Sequence, residues 1–213
     1  VRRAARQAAH CAIIERGKLG GTCVNVGCIP KKVMWYAAEL SQSLTTFSDY
    51  GFNINTSEFD WPHLKKGRDA YIQRLNNFYH ASLQDTTAKL IEGDARFIDK
   101  KTIEVGNQRY IAKHIIIATG GHPTVPEVPG AELGITSDDF FELSTQPKNI
   151  AIAGSGYIAV ELAGVMRALG SEVTLILRGD RFLKRFDSML SESLEEEMLN
   201  KGIKILTNTH VTG

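Results

Sequence analysis

The stretch from Asn149 to Leu177 leaves the chain little freedom of fold. Asn149 to Ala153 is a strand-length apolar run and Gly154-Ser155-Gly156 a tight turn. Tyr157 to Leu169 carries a helical pattern stopped at Gly170, and Val173 to Leu177 is a second apolar run. Strand, helix, strand in that order makes a parallel pair joined by a crossover helix. The turn, Gly154-Ser155-Gly156-Tyr157-Ile158-Ala159, fits G-x-G-x-x-A. Its glycines let a backbone approach a pyrophosphate, and the small last residue lets helix meet strand. The residue that follows the second strand decides which dinucleotide suits such a unit. It is Arg178, where a unit that reads a free ribose 2′-hydroxyl carries an acid, and Arg181, Lys184 and Arg185 follow. Guanidinium and ammonium groups there favour a 2′-phosphate, hence NADP over NAD. A solvated basic loop is the competing reading.

A second unit of the same kind is implied at the start. Residues 1 to 9 read as the end of a helix, and Cys11 to Ile14 as a buried strand ending at the acidic Glu15. That is the later half of a dinucleotide-binding βαβ motif, so the expectation is a sequence that begins inside a Rossmann unit, its first strand and pyrophosphate loop lying ahead of Val1. Pro30 marks a helix start, with Val33, Met34, Ala37, Leu40 and Leu44 at helical spacing. A further helix opens at Asp60 as N-cap with Pro62 in its first turn, and Leu64, Tyr71, Leu75, Phe78 and Ser82 form its apolar face. From Leu90 to Ala112 the period falls towards two, which predicts a small antiparallel meander, and His114 to Ala118 reads as a buried strand. The break at Thr119-Gly120-Gly121, followed by Pro123, Pro126 and Pro129, divides residues 1–120 from 121–213. Ser188 to Gly202 is an acidic amphipathic helix leading into a strand from Ile203 to Leu206. The expected class is α/β: two Rossmann-like three-layer domains, each incomplete, with the meander between the elements of the first.

Twenty-five basic residues balance 24 acidic ones, so nothing in the charge points to nucleic acid or an anionic membrane as partner, and a small-molecule substrate is expected. The longest apolar runs, such as Ile115 to Ala118, are strand-length, and Val1-Arg2-Arg3 opens no signal-peptide pattern. A soluble, cytoplasmic protein is the expectation. Three cysteines are too few for a disulfide-stapled secreted domain.

Cys23 and Cys28 enclose Val24-Asn25-Val26-Gly27 immediately before the Pro30 helix start. A thiol at a helix N-terminus is acidified by the dipole and the free N–H groups, and the thiolate is the reactive form. The C-x4-C spacing therefore suits a redox pair. Zinc binding competes, but no second cysteine pair supplies the remaining ligands and no metal site is expected. Two inert buried cysteines are the other alternative; Cys11, inside an apolar strand, belongs to that class.

The run Leu19-Gly20-Gly21-Thr22-Cys23-Val24-Asn25-Val26-Gly27-Cys28-Ile29-Pro30-Lys31-Lys32 resembles the signature of the pyridine nucleotide-disulfide oxidoreductases. Three features are similar to the members that act on glutathione disulfide: Lys32 to Trp35, the run Gly156 to Gly164, and the basic cluster from Arg178. The resemblance covers essentially the whole chain. It implies an FAD- and NADPH-dependent enzyme in which reducing equivalents reach a Cys23–Cys28 disulfide and pass from Cys23 to glutathione disulfide. On this resemblance Cys23 is the interchange thiol and Cys28 the thiol beside the flavin. Glu15 resembles the ligand of the FAD ribose. Thr22, Lys31, Ala95, Thr119 and Gly120 match further flavin-nucleotide positions. Lys31 and Glu161 resemble an ion pair next to the isoalloxazine, and Tyr157 the lid that nicotinamide displaces. Gly154, Ser155, Gly156, Ile158 and Ala159 with Arg178 and Lys184 make the NADP set, and Arg2 and Tyr79 match positions that hold glutathione.

Two departures qualify the implication. Lys184 stands where an arginine is expected, keeping the charge without the bidentate fork. None of the six histidines matches the motif of the histidine that protonates the leaving thiol. That group comes, with the interface domain, from the partner subunit of a homodimer in the intact family enzyme. A protein consisting of this chain alone is therefore expected to be poorly active. A large thioredoxin reductase and a non-catalytic NADP-binding module are the alternative readings.

Overall fold

Periodicity and turn chemistry between residues 149 and 206 produce a parallel sheet. The computed structural model describes residues 1–53 and 59–213. Those residues group into two units, one made of Val1–Ile29 with Asp69–His122 and the other of Pro30–Arg68 with Pro123–Gly213.

In the first unit a short helix, α1 (Arg2–Arg6), leads into β1 (Ala12–Glu15). A one-turn helix, α2 (Gly21–Asn25), carries Cys23, and Cys28 opens α3 (Cys28–Leu44), which from Pro30 onward belongs to the second unit. The latter starts two residues ahead of Pro30, so the proline lies inside its first turn. The long α4 (Trp61–Gln84), part of the first unit from Asp69 onward, leads to β2 (Lys89–Glu92), which pairs in parallel with β1, Glu15 opposite Glu92. The meander forms from β3 (Ala95–Phe97), β4 (Thr102–Val105) and β5 (Gln108–Ile111), all antiparallel, but it starts later than expected, since Leu90 to Glu92 lie in the parallel β2. Arg96 and Arg109, on the strands flanking β4, both bond the Glu104 carboxylate, and these bonds hold it below the usual carboxylate range.

In the second unit β6 (Asn149–Ala153), β7 (Glu172–Ile176) and β8 (Lys204–Leu206) form a parallel sheet in the order β6-β7-β8. The central strand buries Val173 and Leu175. The crossover helix α5 (Tyr157–Ala168) buries Leu162, Ala163, Val165 and Met166. At α6 (Ser188–Asn200) the Asp187 side chain accepts the Met189 N–H, an N-cap that stabilises the first turn by about 1 kcal/mol. The α4 cap is also as expected: the His63 N–H donates to Asp60 Oδ1 at 2.9 Å.

Three expectations need correction. His114 to Ala118 forms no strand; Ile116 and Ile117 are 89% and 70% exposed. A strand requires a hydrogen-bonding neighbour, and no described strand runs beside this one, so β-favouring composition alone leaves it unpaired. On α4, Tyr71 and Phe78 are exposed, and the buried stripe runs instead through Trp61, Arg68, Ile72 and Leu83. Arg68 is only 2% exposed; it donates to the Phe141 carbonyl and, at 3.4 Å, to Met34 Sδ. On α3 the buried residues are Pro30, Met34 and Ala38, whereas Leu40 is exposed.

Candidate active site

The redox loop owes its shape to two glycines. Gly20 precedes α2 at φ +113°, a conformation open to few side chains, and a Cβ there would lie 2.6 Å from Val24 Cβ. Val24 is itself buried and sits next to Cys23. Gly27 lets the chain double back across the loop, since a Cβ on it would meet the Thr22 carbonyl oxygen at 2.8 Å. The Val26 N–H closes the same turn onto that carbonyl at 2.9 Å.

An amide clamp fastens the loop to α4. Asn25 Nδ2 donates to the Gly21 carbonyl at 2.9 Å, and Asn76 Nδ2 donates to the Leu19 carbonyl at 2.8 Å and to Asn25 Oδ1 at 3.0 Å. Neither asparagine was singled out from the sequence. The available signal was a polar residue on the same stripe of α4 as Ile72 and Leu83, where a half-buried amide finds partners.

Both cysteines are exposed. The Cys23 thiol is held above the ordinary cysteine range. A hydrogen bond with the Cys28 side chain is the main cause; slight desolvation and the negative charge on Cys28 add to it, while the Cys28 backbone N–H opposes. Cys23 therefore gives up its proton at a higher pH than an ordinary cysteine. Replacing Cys28 with alanine removes the hydrogen-bond partner and the charge, both of which raise the value. The expected result is a Cys23 alkylation profile with iodoacetamide, read by peptide mass spectrometry, whose midpoint moves to lower pH. An unmoved midpoint would show that the pair is not coupled.

One turn beyond Asn76 on α4, the Arg2 guanidinium lies over the Tyr79 ring at 5.4 Å and donates to Ser82 Oγ at 2.6 Å. The two residues matched to glutathione positions are therefore neighbours. Glu15 ends β1 with Oε1 bound to the Gly17 N–H at 2.9 Å. The site for a flavin nucleotide fits that carboxylate, which is tethered by one oxygen and leaves the other available for ribose hydroxyls. Ala95 opens β3, and Thr119 and Gly120 lie in the unpaired exposed segment, Gly120 at φ +73°.

In the second unit Lys31 Nζ meets Glu161 Oε1 at 2.7 Å, joining the first turns of α3 and α5 as the resemblance implied. The glycine turn distinguishes its two glycines. A Cβ on Gly154 would press on Ala159 Cβ at 3.2 Å, which accounts for that glycine by helix–strand packing. A Cβ on Gly156 would meet no protein atom, and its extended φ of −89° suits any residue. No side chain caps α5 either, so open space faces unsatisfied N–H groups, the cradle a dinucleotide pyrophosphate requires. Ser155 is part of the turn; Tyr157 and Ile158, 60% and 45% exposed, open the helix.

The basic loop is tied to that turn. The Leu183 N–H donates to the Ser155 carbonyl at 2.8 Å, and Phe182 beside it is fully buried. Arg178 is exposed; Lys184 pairs with Asp180 at 2.8 Å, and this hydrogen bond holds the Asp180 carboxyl below its usual range.

The model of one family, described as pyridine nucleotide-disulphide oxidoreductase, matches residues 1–213. The chain belongs to that family. It is 46% identical to a glutathione reductase of Schizosaccharomyces pombe, over 98% of this chain and 47% of that protein. It is 44% identical to a glutathione reductase of Nostoc sp., over 99% of this chain and 46% of that protein. The chain thus spans about half the length of the curated relatives it matches. Among solved structures, the HOCl-induced flavoprotein disulfide reductase RclA from Escherichia coli, in its Cu(II) complex, superposes with a TM-score of 0.85 at 27% identity, over 99% of this chain and 46% of that one. Among the described residues no helix is long and apolar enough to cross a membrane, and no group of three metal-ligating side chains is placed to hold a metal ion.

Proposed function

We propose that this chain belongs to an NADPH-dependent glutathione-disulfide reductase and supplies its redox pair, with residues 1–120 as the FAD-binding domain and 121–213 as the NADP-binding domain. The observation that carries the reading is the Cys23/Cys28 loop: two exposed cysteines with four residues between them on a loop shaped by Gly20 and Gly27. The 44–46% identity to two glutathione reductases supports the substrate, and the contact of Arg2 with Tyr79 supports a glutathione subsite there.

Bound FAD supplies the two-electron relay between NADPH and a disulfide. Glu15 holds its ribose, with Thr22, Ala95, Thr119, Gly120, Lys31 and Glu161 as further contacts. The α5 amides at Gly156 take the NADP pyrophosphate, Arg178 its 2′-phosphate, and Tyr157 is the lid on the nicotinamide side. In the dithiol, Cys23 loses its proton and its sulfur attacks glutathione disulfide, forming a mixed disulfide and expelling one glutathione thiolate. Cys28 then attacks Cys23 Sγ, releasing the second glutathione and closing the Cys23–Cys28 disulfide. Two electrons leave the dithiol and two thiols of glutathione result. Because Cys23 keeps its proton to higher pH than an ordinary cysteine, the first exchange accelerates as pH rises until that proton is lost. A cytoplasmic homodimer completes the reading.

The test is an absorption spectrum of the purified protein with FAD, before and after NADPH. A long-wavelength thiolate–flavin band on reduction is expected in the parent; in Cys23→Ser the band should be present before NADPH is added, and in Cys28→Ser it should be lost. A band that survives Cys28→Ser would overturn the assignment.

A further inference from the structure

The basic loop after β7 is partly neutralised by its own chain. Of its cations, Arg178 and Arg185 have no hydrogen-bonding or ion-pair partner among the described residues, whereas Lys184 is folded back onto Asp180, Nζ to Oδ1 at 2.8 Å. Gly179 makes that fold possible. A Cβ at residue 179 would lie 2.5 Å from Lys184 Nζ and 2.8 Å from its Cε, so the lysine side chain occupies the space a side chain at 179 would fill. The backbone on both sides is pinned. The Gly179 carbonyl accepts the Asn208 N–H at 2.8 Å, the Leu183 N–H donates to the Ser155 carbonyl at 2.8 Å, and Phe182 between them is fully buried. The freedom left to Lys184 is therefore mainly that of its side chain, and both of its termini of travel are defined: folded against Asp180, or released.

We infer that Asp180 is a specificity-determining residue, which competes with the 2′-phosphate of the dinucleotide for Lys184 and so limits how strongly this site prefers NADP over NAD. The inference rests on the reading of the Arg178 loop as the 2′-phosphate site. A phosphate dianion outcompetes a single carboxylate for an ammonium group, since it carries more charge and more acceptor oxygens. It must nevertheless break the existing pair, and it then shares the loop with an Asp180 carboxylate that keeps only the nearby charge of Arg181. An unphosphorylated ribose makes no such demand. Asp180 thus weakens the phosphorylated ligand selectively. Both partners are more than half exposed, 54% and 71%, so solvent screening keeps the effect to about two- to fivefold in affinity.

The experiment measures Kd for 2′,5′-ADP and for 5′-AMP by calorimetry on the purified protein at fixed ionic strength. Asp180→Asn is expected to tighten 2′,5′-ADP by about two- to fivefold and to leave 5′-AMP unchanged. Gly179→Ala displaces the lysine tip while keeping every charge, and is expected to give a smaller gain of the same sign. The gain should vanish in the Asp180→Asn, Lys184→Ala double variant; a gain that persists there would mean that Lys184 release is not its source and would overturn the inference. Arg178→Ala is the control for the underlying reading: loss of discrimination between the two ligands supports it. Unchanged 2′,5′-ADP affinity in Asp180→Asn, alongside lost discrimination in Arg178→Ala, would sink the role of Asp180 and leave the phosphate site standing. Discrimination untouched by Arg178→Ala would sink the site itself.

Discussion

Replacing Phe182 with alanine is expected to destabilise the second unit by about 3–5 kcal/mol and, separately, to erode discrimination for the 2′-phosphate. Phe182 is fully buried, although it lies in a loop between Arg181 and Leu183, with Lys184 and Arg185 close behind. Its ring is the anchor that lets a highly basic segment lie down on the glycine turn. Removing it opens a cavity, and the chain around it is fixed at only a few further points, including the Leu183 N–H bond to the Ser155 carbonyl. Leu183 sits at φ +53°, a conformation that a branched side chain holds only when its surroundings impose it. Loss of the anchor therefore lets Leu183 relax and carries Lys184 and Arg185 away from the turn. Urea unfolding measures the first effect and 2′,5′-ADP binding below the unfolding transition the second. Phe182→Leu nearly conserves volume; it should cost less than about 1.5 kcal/mol and retain discrimination. If Phe182→Ala lost stability but kept full discrimination, the loop would hold its geometry without the anchor.

That anchor illustrates what a reading of residue types can and cannot find. The βαβ order from 149 to 176 was legible because everything that defines it is local: period, turn residues, and a small residue at position 159 that must admit Gly154. The Cys23/Cys28 loop was legible for the same reason, since its residues are contiguous. The partners that fix these motifs are remote or carry the wrong polarity for a pattern search. Asn76 reaches the redox loop across 57 positions of sequence, and Arg68 occupies a buried helix position that hydropathy assigns to solvent. Apolar residues misled in the opposite direction on α4, because Tyr71 and Phe78 lie off the stripe that the tertiary structure buries. His114 to Ala118 failed differently. Its composition is that of a buried strand, but pairing is a property of two segments, and composition describes one. Asp180 was passed over because an acid among bases reads as a neutral contribution to charge; its meaning appears only when its distance to Lys184 is known.

A second large effect is expected from Gly20→Ala, which should cost about 2–4 kcal/mol and slow closure of the Cys23–Cys28 disulfide. Two terms add. The backbone at φ +113° is strained for any L side chain, and the new Cβ would stand within 2.6–2.9 Å of three atoms of Val24. Val24 cannot yield easily, being only 5% exposed, so the one-turn helix that bears Cys23 must shift instead. A disulfide tolerates Cα separations of only about 4.4–6.8 Å, so a displaced Cys23 forms it more slowly and holds it less well. Gly21→Ala separates the two causes. Gly21 also has a positive φ, +59°, but its Cβ would meet nothing within 4 Å, so it carries the backbone strain of about 1–2 kcal/mol without the clash. Equilibration of each variant with reduced and oxidised glutathione, quenched with acid and counted for thiols, gives the disulfide equilibrium directly. Gly20→Ala is expected to shift towards the dithiol and Gly21→Ala to stay near the parent. Truncating the obstacle should then restore part of the loss, because in Gly20→Ala, Val24→Ala the clashes with the two valine methyl carbons are gone, while the backbone strain and the 2.6 Å contact with Cβ of residue 24 remain. Equal shifts in the two single variants would mean that strain alone governs the loop and that Val24 does not hold Cys23 in position.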